Sequence, residues 1–214
     1  KRDDGAALTY YMEHGYAPEA VLNYLCLLGW SPKDGREVIP RDELIADFDL
    51  PQILRSNARF DHEKLKWMNG EYLRAMAPDR FYEMSVHTLA RAGVDTNKFP
   101  TAYVKAALDT CMGKLRTFTE LPGYGGFYFA DKVELDEDAK AALTSEARER
   151  LGKLRAAFAA STDFTAANLE ATLKETAKSL GVKNGVLVHP ARFACTGKPS
   201  GPSLYHLLEV LGRD

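Results

Sequence analysis

The side chains best suited to hold a metal ion are three cysteines, Cys26, Cys111 and Cys195, and five histidines, His14, His62, His87, His189 and His206. Their spacing argues against that use. A structural zinc site needs about four clustered nitrogen or sulfur ligands, and the sequence has no C-x-x-C pair and no H-x-x-x-H pair on one helical face. An odd number of dispersed thiols indicates free, buried cysteines in a reducing compartment. The signatures G-x-x-x-x-G-K-[ST], G-x-S-x-G and H-E-x-x-H do not occur. Gly123, Gly125 and Gly126 form a G-x-G-G cluster, but no strand precedes it and no capped helix follows at once, so it reads as a turn rather than a phosphate cradle. Carboxylates are plentiful, yet Asp42-Glu43 and the run from Glu134 to Asp138 suit helix N-termini better than a general acid–base pair. On its own residues, the chain does not look like a catalyst.

The elements that must carry any binding surface are helices, and the pattern predicts an all-α fold. Pro18 opens a helix whose apolar stripe is Val21, Leu22, Leu25 and Leu28, ending at Gly29. Short helices follow over 41–48 and 61–70, the second with Leu65 and Met68 inward and Lys64 and Lys66 outward. Phe81, Met84, Leu89 and Ala92 mark another helix that stops at Gly93, and Pro100 starts one through Val104, Leu108 and Met112. Between Leu121 and Asp138 the period breaks, because Pro122 and its neighbouring glycines disfavour a continuing helix; this segment reads as a junction between two helical subdomains whose aromatics, Tyr124, Phe127, Tyr128 and Phe129, suit core packing better than the alternative of stacking on bases. Beyond it come a helix over 144–158, one capped by Thr165 with a Phe164–Leu169 staple and closed by Gly181, and one beginning near Pro202 that buries Leu204, Leu207, Leu208 and Leu211. Val186-Leu187-Val188 is the one candidate extended piece.

Composition agrees with an ordinary soluble globular protein, and length allows one domain or two compact ones. Of 214 residues, 45% are hydrophobic and 27% charged, with 28 basic against 30 acidic side chains for a net charge of -2. That balance excludes a strongly basic nucleic-acid coat protein but not a local basic face. No apolar run approaches the roughly 20 residues that span a bilayer, and the N-terminal Lys1-Arg2-Asp3-Asp4 has no apolar region behind it, so a cytosolic location is expected.

Three segments carry a resemblance. Gly15-Tyr16-Ala17-Pro18-Glu19-Ala20-Val21-Leu22-Asn23-Tyr24-Leu25, running into Leu28-Gly29-Trp30-Ser31, resembles the GY-x-PEA-LLNYL-LLGWS stretch of bacterial class I glutamyl-tRNA synthetases. Phe60 to Arg74 is similar to that family's FD-x-x-KL-x-W-x-NG-x-Y-x-R segment. Pro190 to Gly197, followed by Gly201-Pro202 and Leu211-Gly212, is similar to its closing P-x-R-x-A-x-TG … P … LG. Lys1 and Arg2 sit where the last two residues of the family's K-x-SKR loop, the KMSKS counterpart, would fall. Such a loop stabilises ATP phosphates through its lysine charge.

The resemblance implies a C-terminal fragment: a stem-contact helical domain over 1–77, then an α-helical anticodon-binding cage in two subdomains, 78–130 and 131–214. It implies tRNA(Glu) as partner, with neither DNA nor membrane. ATP and magnesium would belong to the full enzyme, whose Rossmann domain with the HIGH-type signature lies upstream, so the fragment alone is expected to be inactive and to bind no cofactor or metal. Lys64, Lys66 and Arg74 would grip the inner stem, or form an ordinary solvated face; Trp67 and Tyr72 have the spacing of core residues. The family's R-x-K-T-L, whose arginine reads the third anticodon base, aligns with Lys114-Leu115-Arg116-Thr117, which puts Lys114 where the arginine stands and Arg116 at the lysine. A flexible point charge replaces a planar fork, so discrimination against tRNA(Gln) is in question. Gly201 and Pro202 fall where relatives carry Thr-Pro or Ser-Pro near the anticodon, and Arg192 and Lys198 flank the same turn as phosphate ligands, with Arg192 equally suited to an ion pair. Two alternatives stay open: a non-discriminating or duplicated synthetase that charges tRNA(Gln), and a helical protein-interaction module.

Overall fold

The computed structural model describes residues 7–53 and 59–213, and among them there are helices and turns but no strand. Lys1 and Arg2 lie outside the described residues. The chain forms two compact units, Lys1–Arg91 with Met112–Leu121, and Ala92–Cys111 with Pro122–Asp214. No helix among the described residues is long and apolar enough to cross a membrane.

The first unit is built from α1 (Leu8–Glu13), α2 (Pro18–Leu27), α3 (Arg41–Asp47), α4 (His62–Arg74) and α5 (Pro78–Arg91). Pro18 stands in the first turn of α2, where its missing N–H costs no hydrogen bond. The Asp61 side chain caps α4 by accepting from the Lys64 amide at 3.0 Å, and Arg74 ends the helix at its negative pole. α2 packs along α4, burying Val21 and Tyr24 against Leu65, Met68 and Tyr11. This corrects the expected stripe of α2: Leu22 and Leu25 are 40% and 42% exposed, and the inward positions are Ala20, Val21, Asn23 and Tyr24. Asn23 and Tyr24 are inside because they answer backbone donors, Asn23 Oδ1 accepting from the Ile39 amide at 2.9 Å and Tyr24 Oη from the Asp61 amide at 2.5 Å. A leucine would leave both donors orphaned in the core.

The second unit holds most of α6 (Thr101–Met112) and of α7 (Leu121–Gly125), a 3-10 turn over Gly126–Phe129, then α8 (Glu137–Ala142), α9 (Ser145–Ala160), α10 (Ala166–Ser179), α11 (Gly185–Thr196) and α12 (Leu204–Leu211). The segment after Leu121 is helical, contrary to the expected break. Pro122 sits in the first turn, where no intrahelical partner awaits its nitrogen, so proline starts this helix instead of stopping one. Tyr128 there is buried and its hydroxyl meets Thr110 Oγ1 at 2.8 Å, as a core aromatic should. Val186-Leu187-Val188 is likewise helical, the amides of Leu187 and Val188 both donating to the Asn184 carbonyl. α10 packs on α9 and α12, and α11 on α9 and α8, around Leu154, Leu169, Leu173, Leu187, Leu204 and Leu207.

Candidate nucleic-acid interface

The loop after α6, from Gly113 to a 3-10 turn at Phe118–Glu120, carries Lys114 and Arg116 and lies on α4. Leu115, Thr117 and Phe118 point inward and are buried, which turns Lys114 and Arg116 to solvent. Four bonds hold the loop. The Phe118 amide donates to the Gly15 carbonyl at 2.9 Å and Thr119 Oγ1 to the His14 carbonyl at 3.0 Å. Asn69 Nδ2 donates to the Arg116 carbonyl at 2.5 Å, and the Arg116 amide donates to Glu120 Oε2 at 2.9 Å. The other Glu120 oxygen receives Lys66 Nζ at 2.8 Å. Burial pushes the Glu120 carboxyl up, but Lys66 and the amides of Arg116 and Thr117 outweigh it and hold the group below the usual carboxylate range.

Close approach requires glycine at position 15. Gly15 has φ +73°, and a Cβ on it would lie 2.7 Å from the Thr119 nitrogen. A Cβ on Gly70 would meet the Leu115 carbonyl at 3.5 Å, the Arg116 Cα at 3.6 Å and Arg74 Nη1 at 3.4 Å, so both arginines flank that one position of α4. Arg116 Nη1 lies 3.7 Å from Glu63, and Arg74 pairs with Glu71. The structure therefore brings Lys66, Arg74 and Arg116 together around α4 and this loop. Lys64 turns elsewhere, to Glu37 at 2.6 Å. Lys114 is exposed and has no ion pair among the described residues.

Trp67 does not join the core as its spacing suggested; it is 40% exposed on α4, between Glu63 and Glu71 on the helix surface. α4 has only one buried stripe, and Leu65, Met68, Asn69 and Leu73 fill it. Tyr72 is half-buried, donates to the Ile39 carbonyl at 2.5 Å, and has its phenol pushed up to about 12 by burial.

In the second unit, α11 ends at Gly197 with φ +68°, where a Cβ would sit 2.2 Å from the Glu134 carbonyl oxygen. Thr196 Oγ1 donates to the Arg192 carbonyl at 2.9 Å and accepts from the Lys198 amide at 3.1 Å. Arg192 Nη1 donates to the Pro202 carbonyl at 2.5 Å, so this arginine holds the turn containing Gly201 and the buried Pro202. Its charge also opposes the rise that burial gives the Tyr124 phenol. Lys198 is exposed and has no ion pair among the described residues. α12 begins two residues beyond Pro202, at Leu204.

Sequence reasoning passed over Asn69, Gly15, Thr119, Thr196 and Gly197. One local signal was available: Asn69-Gly70 is a poor helix-forming pair in the middle of α4, and such a violation marks a position with another duty.

Residues 72–214 match the family model described as an anticodon binding domain, and residues 1–67 match the model of tRNA synthetases class I (E and Q), catalytic domain. Glutamate–tRNA ligase of Methylacidiphilum infernorum is 39% identical over this whole chain, which spans 48% of it. The Rhodopseudomonas palustris enzyme of the same name is 38% identical over the whole chain, which spans 46% of it. The crystal structure of a glutamate tRNA ligase from Elizabethkingia meningosepticum in complex with its amino acid superposes on 95% of this chain and 40% of its own, with a TM-score of 0.81 and 29% identity. The chain thus spans just under half the length of the curated relatives it matches. With similarity running its full length and two family models meeting between residues 67 and 72, the chain belongs to the glutamate–tRNA ligase family, and most of it is that family's anticodon-binding domain.

Proposed function

We propose that this chain is the part of a glutamate–tRNA ligase that holds tRNA(Glu) and reads its anticodon, within a protein that joins glutamate to that tRNA using ATP. The observation that supports the reading is the loop 113–120, tied to α4 and to residues 14 and 15, which turns a free lysine and a loosely paired arginine to solvent at the positions the resemblance assigns to base reading. Lys114 and Arg116 contact the third anticodon base. Arg192 holds the turn at Gly201 and Pro202, and Lys198 contacts phosphate beside it. Lys64, Lys66 and Arg74, within the stem-contact domain over 1–77, contact stem phosphates, while 78–130 and 131–214 form the two anticodon-binding subdomains. Exposed ion pairs such as these contribute only about 0.2–1 kcal/mol, so a phosphate can displace Glu37, Glu120 or Glu71 from its partner. The stem cations are thereby pre-positioned at small cost.

ATP and magnesium serve the catalytic domain of the whole enzyme, which works in the cytoplasm. Among the described residues no group of three His, Cys, Asp or Glu side chains fits a metal ion, and no step through ATP is assigned to them. The test is titration with tRNA(Glu) and with a copy altered at the third anticodon base. We expect weaker binding of the altered copy and affinity that falls steeply as salt rises; equal binding at moderate salt defeats the anticodon assignment. Lys114 favours a second reading, a relaxed enzyme that also charges tRNA(Gln), because an unpaired ammonium lacks the fork that fixes one base edge. Charging of both tRNAs by the full-length protein decides between them.

A further inference from the structure

We propose that Asn69 is a positioning residue for base discrimination, setting the peptide that carries Arg116 and its neighbour Lys114, with Thr119 as its helper on the far side of the loop. The proposal rests on the reading that this loop reads a base. Asn69 is fully buried, and both ends of its amide are engaged: Oδ1 accepts from the Ala17 amide at 2.8 Å while Nδ2 donates to the Arg116 carbonyl at 2.5 Å. One side chain thus ties α4 to backbone from two distant parts of the sequence. The loop backbone runs close over the adjacent Gly70, where an added Cβ would lie 3.5 Å from the Leu115 carbonyl, an ordinary contact distance. On the opposite side, Thr119 Oγ1 and the Phe118 amide tie the loop to the carbonyls of His14 and Gly15. The Arg116 carbonyl is therefore locked inward while its side chain leaves toward solvent, which fixes the direction in which the charge is offered.

Direction matters for one kind of contact only. A phosphate contact needs a positive charge nearby and tolerates displacement, whereas reading a base edge needs donors held to about 0.5 Å and 10–20°. Loosening the peptide should reduce discrimination and leave the electrostatic part of binding in place. A merely structural residue would lower both or neither.

The test uses the 214-residue chain and two tRNA transcripts differing only in the third anticodon base. In Asn69→Asp the carboxylate can still accept from Ala17 but cannot donate to Arg116. Thr119→Val removes an exposed hydroxyl and keeps the branched shape of the side chain, and Thr119→Ser keeps the hydroxyl. We expect the wild-type chain to prefer the correct transcript by about tenfold, the low end for one base contact. Asn69→Asp should cut that ratio about fivefold, with the slope of log K against log salt unchanged within about half a unit. Thr119→Val should cut it about twofold and Thr119→Ser should recover it, the range of one neutral hydrogen bond. If Asn69→Asp fails to fold, the Thr119 pair decides. Folded variants with the wild-type ratio, or a ratio that falls only together with the salt slope, overturn the positioning role. A wild-type ratio of one overturns the base-reading assignment itself and the positioning role with it.

Discussion

The loop on α4 and the turn after α11 are held by the same device and differ in how their charges are spent. Each rests on a left-handed glycine packed against backbone, Gly15 under Thr119 and Gly197 under Glu134. At the loop, Lys66 and Arg74 of α4 and Arg116 each face a carboxylate, from Glu120, Glu71 and Glu63, and Lys114 alone stands open. In the turn, Arg192 bonds a carbonyl and Lys198 faces solvent. Neutralised cations can be exchanged for phosphate but attract little from a distance, whereas an open lysine adds to the field that steers a polyanion. Apart from Lys114, charge at the first site is suited to local contact, and at the second to attraction.

The largest effect that could break this comparison is on the glycines. Gly197→Ala should destabilise its unit by about 3 kcal/mol, because the new methyl meets a carbonyl oxygen in a backbone region that L-residues avoid. Gly15→Ala should cost less, about 2 kcal/mol, since its nearest clash is with an amide nitrogen at a longer distance. Denaturant midpoints measure both; the reverse order would mean that the turn relaxes more readily than the loop.

Next in size is the loss of an open cation. Lys198→Ala and Lys114→Ala should each weaken tRNA binding about fivefold at moderate salt and lower the salt slope by about one. The two differ in what else they change: Lys198→Ala should act equally on both transcripts, and Lys114→Ala should act more on the correct one. Uniform loss from both would place Lys114 on phosphate.

The smallest effect separates the sites by pH. The Glu120 carboxyl is depressed in the fold from an ordinary value of 4.5, so its contribution is fully present above that value and is lost as pH falls through the lower, folded one. Protection of the Arg116 amide, which donates to Glu120, should fall relative to the intrinsic exchange rate as pH drops through the depressed value, and Glu120→Gln should flatten the response. The Arg192–Pro202 bond joins a guanidinium to a carbonyl and should hold throughout that range.

Much of the helical plan was legible. Pro18, Asp61 and Thr144 announce helix starts, and Leu65 with Met68 announces the inner face of α4. Three motifs in order were enough to identify the family. Faces were harder to read than helices. Leu22 and Leu25 have the right period for burial, yet α2 turns Asn23 and Tyr24 inward to satisfy amides at Ile39 and Asp61. Trp67 also follows an apolar period but lies outside the one stripe that α4 buries.

Period and capping act within a few residues, so the sequence alone determined which segments are helical, where several begin, and which family's motifs they carry. Only the tertiary structure decided which charges are free and which atoms hold the reading loop. Its bonds join residues as far apart as Thr119 and His14, 105 positions along the chain, and a donor's partner at that separation is set by how the helices pack, which no local pattern records.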